Sequence, residues 1–134
     1  MDPEKILIWN VRGLNSTARQ DSLRSILAST RADIVCIQET KITDMNQRIL
    51  LSALGSDFSE FLTVPSIGAS GGILVAWRRH IGSSNARRID NHSLSIQFIP
   101  ENGQSWWLTC VYGPQGNDEK IQFLQELRDV RAAC

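Results

Sequence analysis

The sequence predicts an α/β (α+β) sandwich with mixed sheets, and three observations predict it. A strand–helix–strand unit opens the chain over Ile6–Glu39. Four strand-like segments fill its middle, and an amphipathic helix follows them. A strictly alternating doubly wound fold would not place so many strands in succession. At 134 residues the chain is one domain at most.

The first strand is the apolar run Lys5–Val11, and Gly13 is the turn residue after it. Thr17 and Gln20 have the spacing of a capping box, and Leu23, Ile26 and Leu27 then share one helical face until the pattern fades near Ser29 and Thr30. Asp33 opens a second strand whose apolar run is Ile34–Ile37. A strand–helix–strand unit of this length crosses over to bring its strands parallel. Asn10 and Glu39 then leave the sheet at the same edge, where ligands of α/β folds bind.

A second helix is expected after Thr43 or Asp44, with Ile49, Leu50 and Leu54 inward and Gly55 at its C-terminus. Phe58–Val64 is a weaker strand that Pro65 terminates. Gly68–Gly72 is a turn, and Ile73–Trp77 is a continuous apolar run, the pattern of a strand buried on both faces. Residues 78–91 are polar and basic and read as a solvated loop, with contact to a nucleic-acid backbone as the competing reading. Alternation through Leu94, Ile96 and Phe98 marks a half-buried strand, and Ser105–Tyr112 marks another. The last helix, Asn117–Arg131, would bury Phe123, Leu124, Leu127 and Val130.

Lys+Arg and Asp+Glu balance at 14 each, so no global field attracts nucleic acid. An apolar fraction of 42% suits a packed core and excludes a disordered chain. Three cysteines form neither a disulfide framework nor a zinc spacing, and Cys36 and Cys110 lie in apolar runs as core residues. The N-terminal residues lack the apolar segment of a signal peptide, and no apolar run is long enough to span a bilayer. The expectation is a soluble intracellular protein, nuclear or cytoplasmic, without a membrane partner. His80 and His92 have no acidic or cysteine partner at ligand spacing and read as structural.

Four blocks occur in order: Trp9-Asn10-Val11-Arg12-Gly13-Leu14, Cys36-Ile37-Gln38-Glu39-Thr40, Ser70-Gly71-Gly72-Ile73-Leu74-Val75 and Val111-Tyr112-Gly113-Pro114. Together they resemble the N-terminal part of an endonuclease/exonuclease/phosphatase domain, across the whole chain. In texture they are nearest to the endonuclease domain of plant LINE-type (non-LTR) retrotransposons, through Trp-Asn-x-Arg-Gly-Leu, Tyr-Gly-Pro and the terminal Leu-Arg-Asp-x-Arg-Ala-Ala-Cys. Arg12 stands where some relatives carry an acidic residue.

The resemblance implies two packed sheets flanked by helices in a four-layer α/β/β/α fold. It also implies hydrolysis of nucleic-acid phosphodiesters, DNA before RNA, with Mg²⁺ or Mn²⁺. Glu39 resembles the metal-binding glutamate, Asn10 the amide beside metal and phosphate, and Tyr112 the tyrosine facing the scissile phosphate. Mg²⁺ is commonly held by one or two carboxylates, with water and phosphate completing its octahedron. An amide and a phenol can donate hydrogen bonds to charge developing on the phosphate. Taken singly, each residue also has a plainer reading: Asn10 as a strand-end turn former, Glu39 as a solvated carboxylate, Tyr112 as a core aromatic.

The same resemblance implies two further segments, Gly-Asp-x-Asn and Ser-Asp-His. Neither occurs in these 134 residues, and Gly55-Ser56-Asp57-Phe58 lacks the following Asn and precedes Tyr112. The expectation is therefore an incomplete four-layer fold with its C-terminal half missing, residues 1–134 being the N-terminal portion. Losing one acid–base group costs about 10²–10⁴ in rate, and such groups act as a unit, so little catalysis would remain. The alternative is a non-catalytic relic or binding module. Exposed sheet edges would then favour self-association.

Overall fold

In the computed structural model, which describes residues 4–66, 71–90, 92–111 and 117–134, the chain forms two units, Met1–Ile81 and Gly82–Cys134. The described residues make two sheets and three helices. This is the mixed α+β class that the sequence predicts.

The first unit starts with β1 (Ile6–Asn10), α1 (Thr17–Thr30) and β2 (Ile34–Gln38). The crossover makes β1 and β2 parallel, in register from Ile6 opposite Ile34 to Asn10 opposite Gln38. After α2 (Gln47–Leu54), β3 (Glu60–Val64) and β4 (Ile73–Trp77) complete a sheet of order β1-β2-β4-β3, whose last two pairings are antiparallel. Val35 and Ile37 of β2 stand opposite Ala76 and Leu74 of β4, and all four join Leu23 and Leu27 of α1 and Leu50, Ala53 and Leu54 of α2 in one core. β2 and β4 are buried on both faces, as unbroken apolar runs require. β1 is different. Leu7 and Trp9 pack against the core, while Ile8 on the opposite face is 63% exposed.

Both helix starts fall elsewhere than the spacing predicts. Ser16, in extended conformation, caps α1 by accepting from Arg19 N at 3.2 Å, and Thr17 is the first helical residue. Gln20 is no capping partner. It is buried, and its Nε2 donates to Leu14 O at 2.9 Å. α2 begins after Asn46, whose Oδ1 accepts from Ile49 N at 2.9 Å, not after Thr43 or Asp44. Residues 40–42 are held by other loops, and Ile42 is buried with its carbonyl accepting from Ser66 N at 3.0 Å. The helix cannot start until the chain leaves those contacts. Gly55 ends α2 at φ 81°.

The basic stretch is not a loop. Arg79–Ile81 forms a single 3₁₀ turn, and Ser83–Ile89 is a seven-residue strand, β5. Polar residues suit it because it is a sheet edge: with β6 (Ser93–Ile99) and β7 (Trp106–Val111) it makes an antiparallel sheet of order β5-β6-β7. Its register shifts between Ser84 and Ala86, and charges with an irregularity are common on edges.

The last helix, α3 (Asn117–Ala133), belongs to this second unit. Its attachment is largely polar. Glu126 accepts from His92 N at 3.1 and 3.2 Å and from Ser93 Oγ at 2.8 Å, while Phe123 meets the His92 ring edge-on at 5.7 Å. Val130 is buried and Phe123 and Leu127 are half-buried, but Leu124, expected in the core, is 57% exposed. The inward face is the i, i+3, i+4, i+7 set 123, 126, 127 and 130, and Leu124 lies on its flank. No helix among the described residues is long and apolar enough to cross a membrane.

Candidate functional site

The parallel register of β1 and β2 puts Asn10 opposite Gln38, on strands about 4.8 Å apart, with Glu39 the next residue along. Both strands then release into loops that bond to each other. Val11 N donates to Gln38 O at 3.1 Å, Gly13 N to Glu39 O at 2.8 Å, and Leu14 N to Thr40 O at 2.9 Å. On the other side, Thr40 N donates to Gly72 O at 3.1 Å and Lys41 N to Gly71 O at 2.9 Å. The segment carrying Glu39 is thus clamped between two other loops through main-chain hydrogen bonds.

Side chains reinforce the clamp. Thr40 is fully buried, Asn15 Nδ2 donates to Lys41 O at 3.1 Å, and Arg19 Nη1 bonds the carbonyl of Val11. Gly71 and Gly72 have φ of 83° and 92°, which glycine adopts without steric cost. At Gly72 the need is spatial as well. A Cβ there would collide with Thr40 Oγ1 and lie 3.3 Å from Lys41 N.

Arg12, Glu39 and Lys41 also have left-handed backbones, with φ of 54°, 55° and 56°. Among the described residues the fourth such non-glycine is Arg31, which forms the C-cap of α1. Left-handed backbone at non-glycine residues costs about 1–2 kcal/mol each and persists where surroundings over-determine it. Here the flanking main-chain bonds do so.

Asn10 is exposed and Glu39 half-buried, side by side at the strand-end rim. Strand alternation would have turned Gln38 and Glu39 to opposite faces, but the left-handed turn at Glu39 ends the alternation at Gln38. Tyr112 lies outside the described residues. Among the described residues no three His, Cys, Asp or Glu side chains form a metal-holding group. One carboxylate and one amide at this rim suit a largely hydrated Mg²⁺ that takes its other oxygens from water and phosphate, not a caged ion.

The histidines do have acidic partners, from remote sequence positions that spacing rules do not scan. His80 Nε2 lies 3.0 Å from Asp33 Oδ1, and Asp33 Oδ2 accepts from Lys5 N at 2.8 Å. His92 Nδ1 lies 4.0 Å from Glu126. The basic stretch is also partly structural. Arg78 Nε donates to Ala32 O at 2.8 Å, its Nη1 pairs with Asp57 at 3.4 Å, and its guanidinium lies 4.7 Å over the Phe58 ring. Arg88 grips Asp90 at 2.8 and 3.2 Å, and that hydrogen bond raises its pKa further above the ordinary guanidinium value. Arg79 and Arg87 are exposed.

A cavity of about 540 Å³ in the second unit is lined by Asp90, His92, Gln122, Glu126 and Asp129 among others. Its carboxylates are engaged: Glu126 by His92 N and Ser93, Asp90 by Arg88, and Asp129 by Gln125 Nε2 at 3.0 Å. It holds α3 to its sheet and presents no reactive arrangement. Sequence reasoning missed Thr40, Lys41 and Gly72 as the residues that place Glu39. Two adjacent glycines just before a buried strand were the available signal.

Compared with known proteins, residues 7–134 match the profile of the Endonuclease/Exonuclease/phosphatase family. A 40-residue stretch is 48% identical to an exodeoxyribonuclease of Bacillus subtilis (strain 168), covering 30% of this chain and 16% of that protein. Among solved structures, the AP endonuclease LMAP from Leishmania major superimposes with a TM-score of 0.63 at 19% identity, over 85% of this chain and 42% of that one. The catalytic domain of Xenopus laevis APE2 gives 0.56 at 21% identity, over 86% and 46%. The chain therefore spans less than half the length of these relatives, and the two solved structures share its fold.

Proposed function

The chain belongs to the Endonuclease/Exonuclease/phosphatase family, and from that premise we propose that residues 1–134 supply one wall of a site that hydrolyses nucleic-acid phosphodiesters. The observation that carries the reading is the juxtaposition of Asn10 and Glu39 at the ends of two parallel, in-register strands, on a backbone clamped by main-chain bonds. The exodeoxyribonuclease and AP endonuclease relatives support DNA as the substrate class. The Trp9–Leu14 motif supports descent from a LINE-type endonuclease.

In this reading the Glu39 carboxylate is the protein's ligand to a hydrated Mg²⁺ or Mn²⁺, with the Asn10 amide beside it. The ion, when bound, supplies Lewis-acid stabilisation of a non-bridging phosphate oxygen. The Asn10 amide donates to phosphate oxygens as charge builds on them, and Tyr112 is the proposed phenol donor. Fixing Glu39 by backbone bonds places it without the reorganisation a mobile side chain would need. No residue among these 134 matches the family's water-activating His or its Asp-x-Asn, so this wall alone does not hydrolyse.

The second reading, a non-catalytic binding module that self-associates, is favoured by Ile8 at 63% exposure on the edge strand β1. Water-proton relaxation with Mn²⁺ separates the two. Weak binding by the chain that Glu39→Gln abolishes supports the hydrolase wall. Undiminished binding by the variant, or none by the parent, leaves the binding module. Plasmid nicking by the 134-residue chain in Mg²⁺, abolished by Glu39→Ala, would overturn the claim that this wall alone is inactive.

A further inference from the structure

We infer that Arg12 and Lys41 form a cationic clamp that grips the phosphate backbone of a polynucleotide beside the Asn10/Glu39 rim. The inference deepens the hydrolase reading and rests on it. The two cations stand on neighbouring loops. Arg12 lies two residues beyond the end of β1 and Lys41 three residues beyond the end of β2. Their loops are joined by the Gly13–Glu39 and Leu14–Thr40 hydrogen bonds, so the backbone positions that carry the two cations are held side by side.

Their conformation is costly. Both residues are exposed and both have left-handed backbones, a state that lysine and arginine rarely adopt. Glycine would relieve that strain at either position, yet long cations stand there. Among the described residues, neither head group makes an ion pair or hydrogen bond that would explain the choice. The Lys41 stem passes beside the loop that carries Arg12: its Cδ lies 3.7 Å from where a Cβ of Gly13 would be.

The chemistry of such a pair fits phosphate. A guanidinium presents a planar fork to two phosphate oxygens, and an ammonium adds a point charge to the neighbouring group. The chain has no net charge to draw a polyanion, so local cations must supply the attraction. The grip is independent of sequence, and it is independent of metal.

Binding of a labelled 20-base-pair DNA duplex to the 134-residue chain, followed by anisotropy in EDTA across a salt series, tests this. Each phosphate contact contributes about 0.9 to the slope of log K against log salt. Removing both cations should lower that slope by about 1.8, so that between 50 and 200 mM salt the parent loses about tenfold more affinity than the double variant. The double variant is made as Arg12→Gln/Lys41→Gln and again as Arg12→Gly/Lys41→Gly. The glycine form should melt at or above the parental temperature while still binding weakly, which separates lost charge from lost fold.

Equal slopes for parent and both double variants overturn the clamp, as does a parent that binds no duplex. The Mn²⁺ arm keeps the two ideas apart. A Glu39-dependent Mn²⁺ signal with no slope change sinks the clamp alone, whereas loss of that signal sinks the hydrolase reading.

Discussion

Substituting Gly72 by alanine should damage this protein far more than the same change one residue earlier. Both glycines have left-handed backbones, so each alanine incurs a conformational cost of about 1–2 kcal/mol. At Gly71 that is nearly all, because a Cβ there meets nothing within 4 Å among the described residues. At Gly72 the new methyl collides with Thr40 Oγ1 and sits 3.3 Å from Lys41 N and 3.4 Å from Ser66 Cβ. Thr40 is fully buried and has no open space to retreat into. The segment must therefore shift and weaken the Thr40–Gly72 and Lys41–Gly71 bonds, each contributing about 0.5–1.5 kcal/mol. The totals are about 2–5 kcal/mol for Gly72→Ala and about 1–2 kcal/mol for Gly71→Ala.

Urea unfolding monitored by tryptophan fluorescence reads this difference as a shift in midpoint at constant slope. Thr40→Ala should be partly compensatory in the Gly72→Ala background, since it removes the colliding oxygen, and a double-mutant cycle should show coupling of about 1 kcal/mol. Equal destabilisation by the two glycine substitutions, or no coupling to Thr40, would refute the claim that close approach at Gly72 positions the segment.

Two further substitutions test other parts of the frame. Arg78→Lys keeps the charge but loses the planar fork that reaches Ala32 O and lies over Phe58, and thermal melting should report a loss of about 1–2 kcal/mol. Glu126→Gln puts an amide where three hydrogen bonds converge on a carboxylate, and should cost about 1–2 kcal/mol. Its signature is faster amide hydrogen exchange in α3 with exchange in β2 and β4 unchanged.

What was legible in the sequence followed from apolar periodicity. Ile34–Ile37 and Ile73–Trp77 are unbroken runs and became strands buried on both faces, and the crossover rule then fixed Asn10 opposite Gln38. Less legible were segments whose fate depends on remote partners. Ser83–Ile89 carries the composition of a loop, and only its pairing with β6 makes it a strand. Thr17 and Gln20 have capping-box spacing, but Gln20 is drawn inward by the Leu14 carbonyl. Leu124 looked like core because a helical stripe shows which residues share a face and not which one meets the sheet. At the rim, the motif pointed to Asn10 and Glu39, while the left-handed turn at Glu39 and the close approach at Gly72 are set by loops far apart in sequence.

The main-chain ladder joining residues 11–14, 39–42 and 71–72 has a consequence for how this protein can change. Peptide groups hold the ladder together, and every residue except proline carries the same peptide donor and acceptor. Apart from the glycines, Thr40 and the buried Val11, Leu14 and Ile42, the side chains on it are therefore free to vary without moving the carboxylate they surround. The exposed Arg12 can be exchanged for other residues, altering the charge and shape of the rim, while Glu39 stays in place. A scaffold built this way separates the placing of the rim carboxylate from the surface around it, so on the proposed reading one backbone could be retuned toward different phosphate esters by surface substitutions alone.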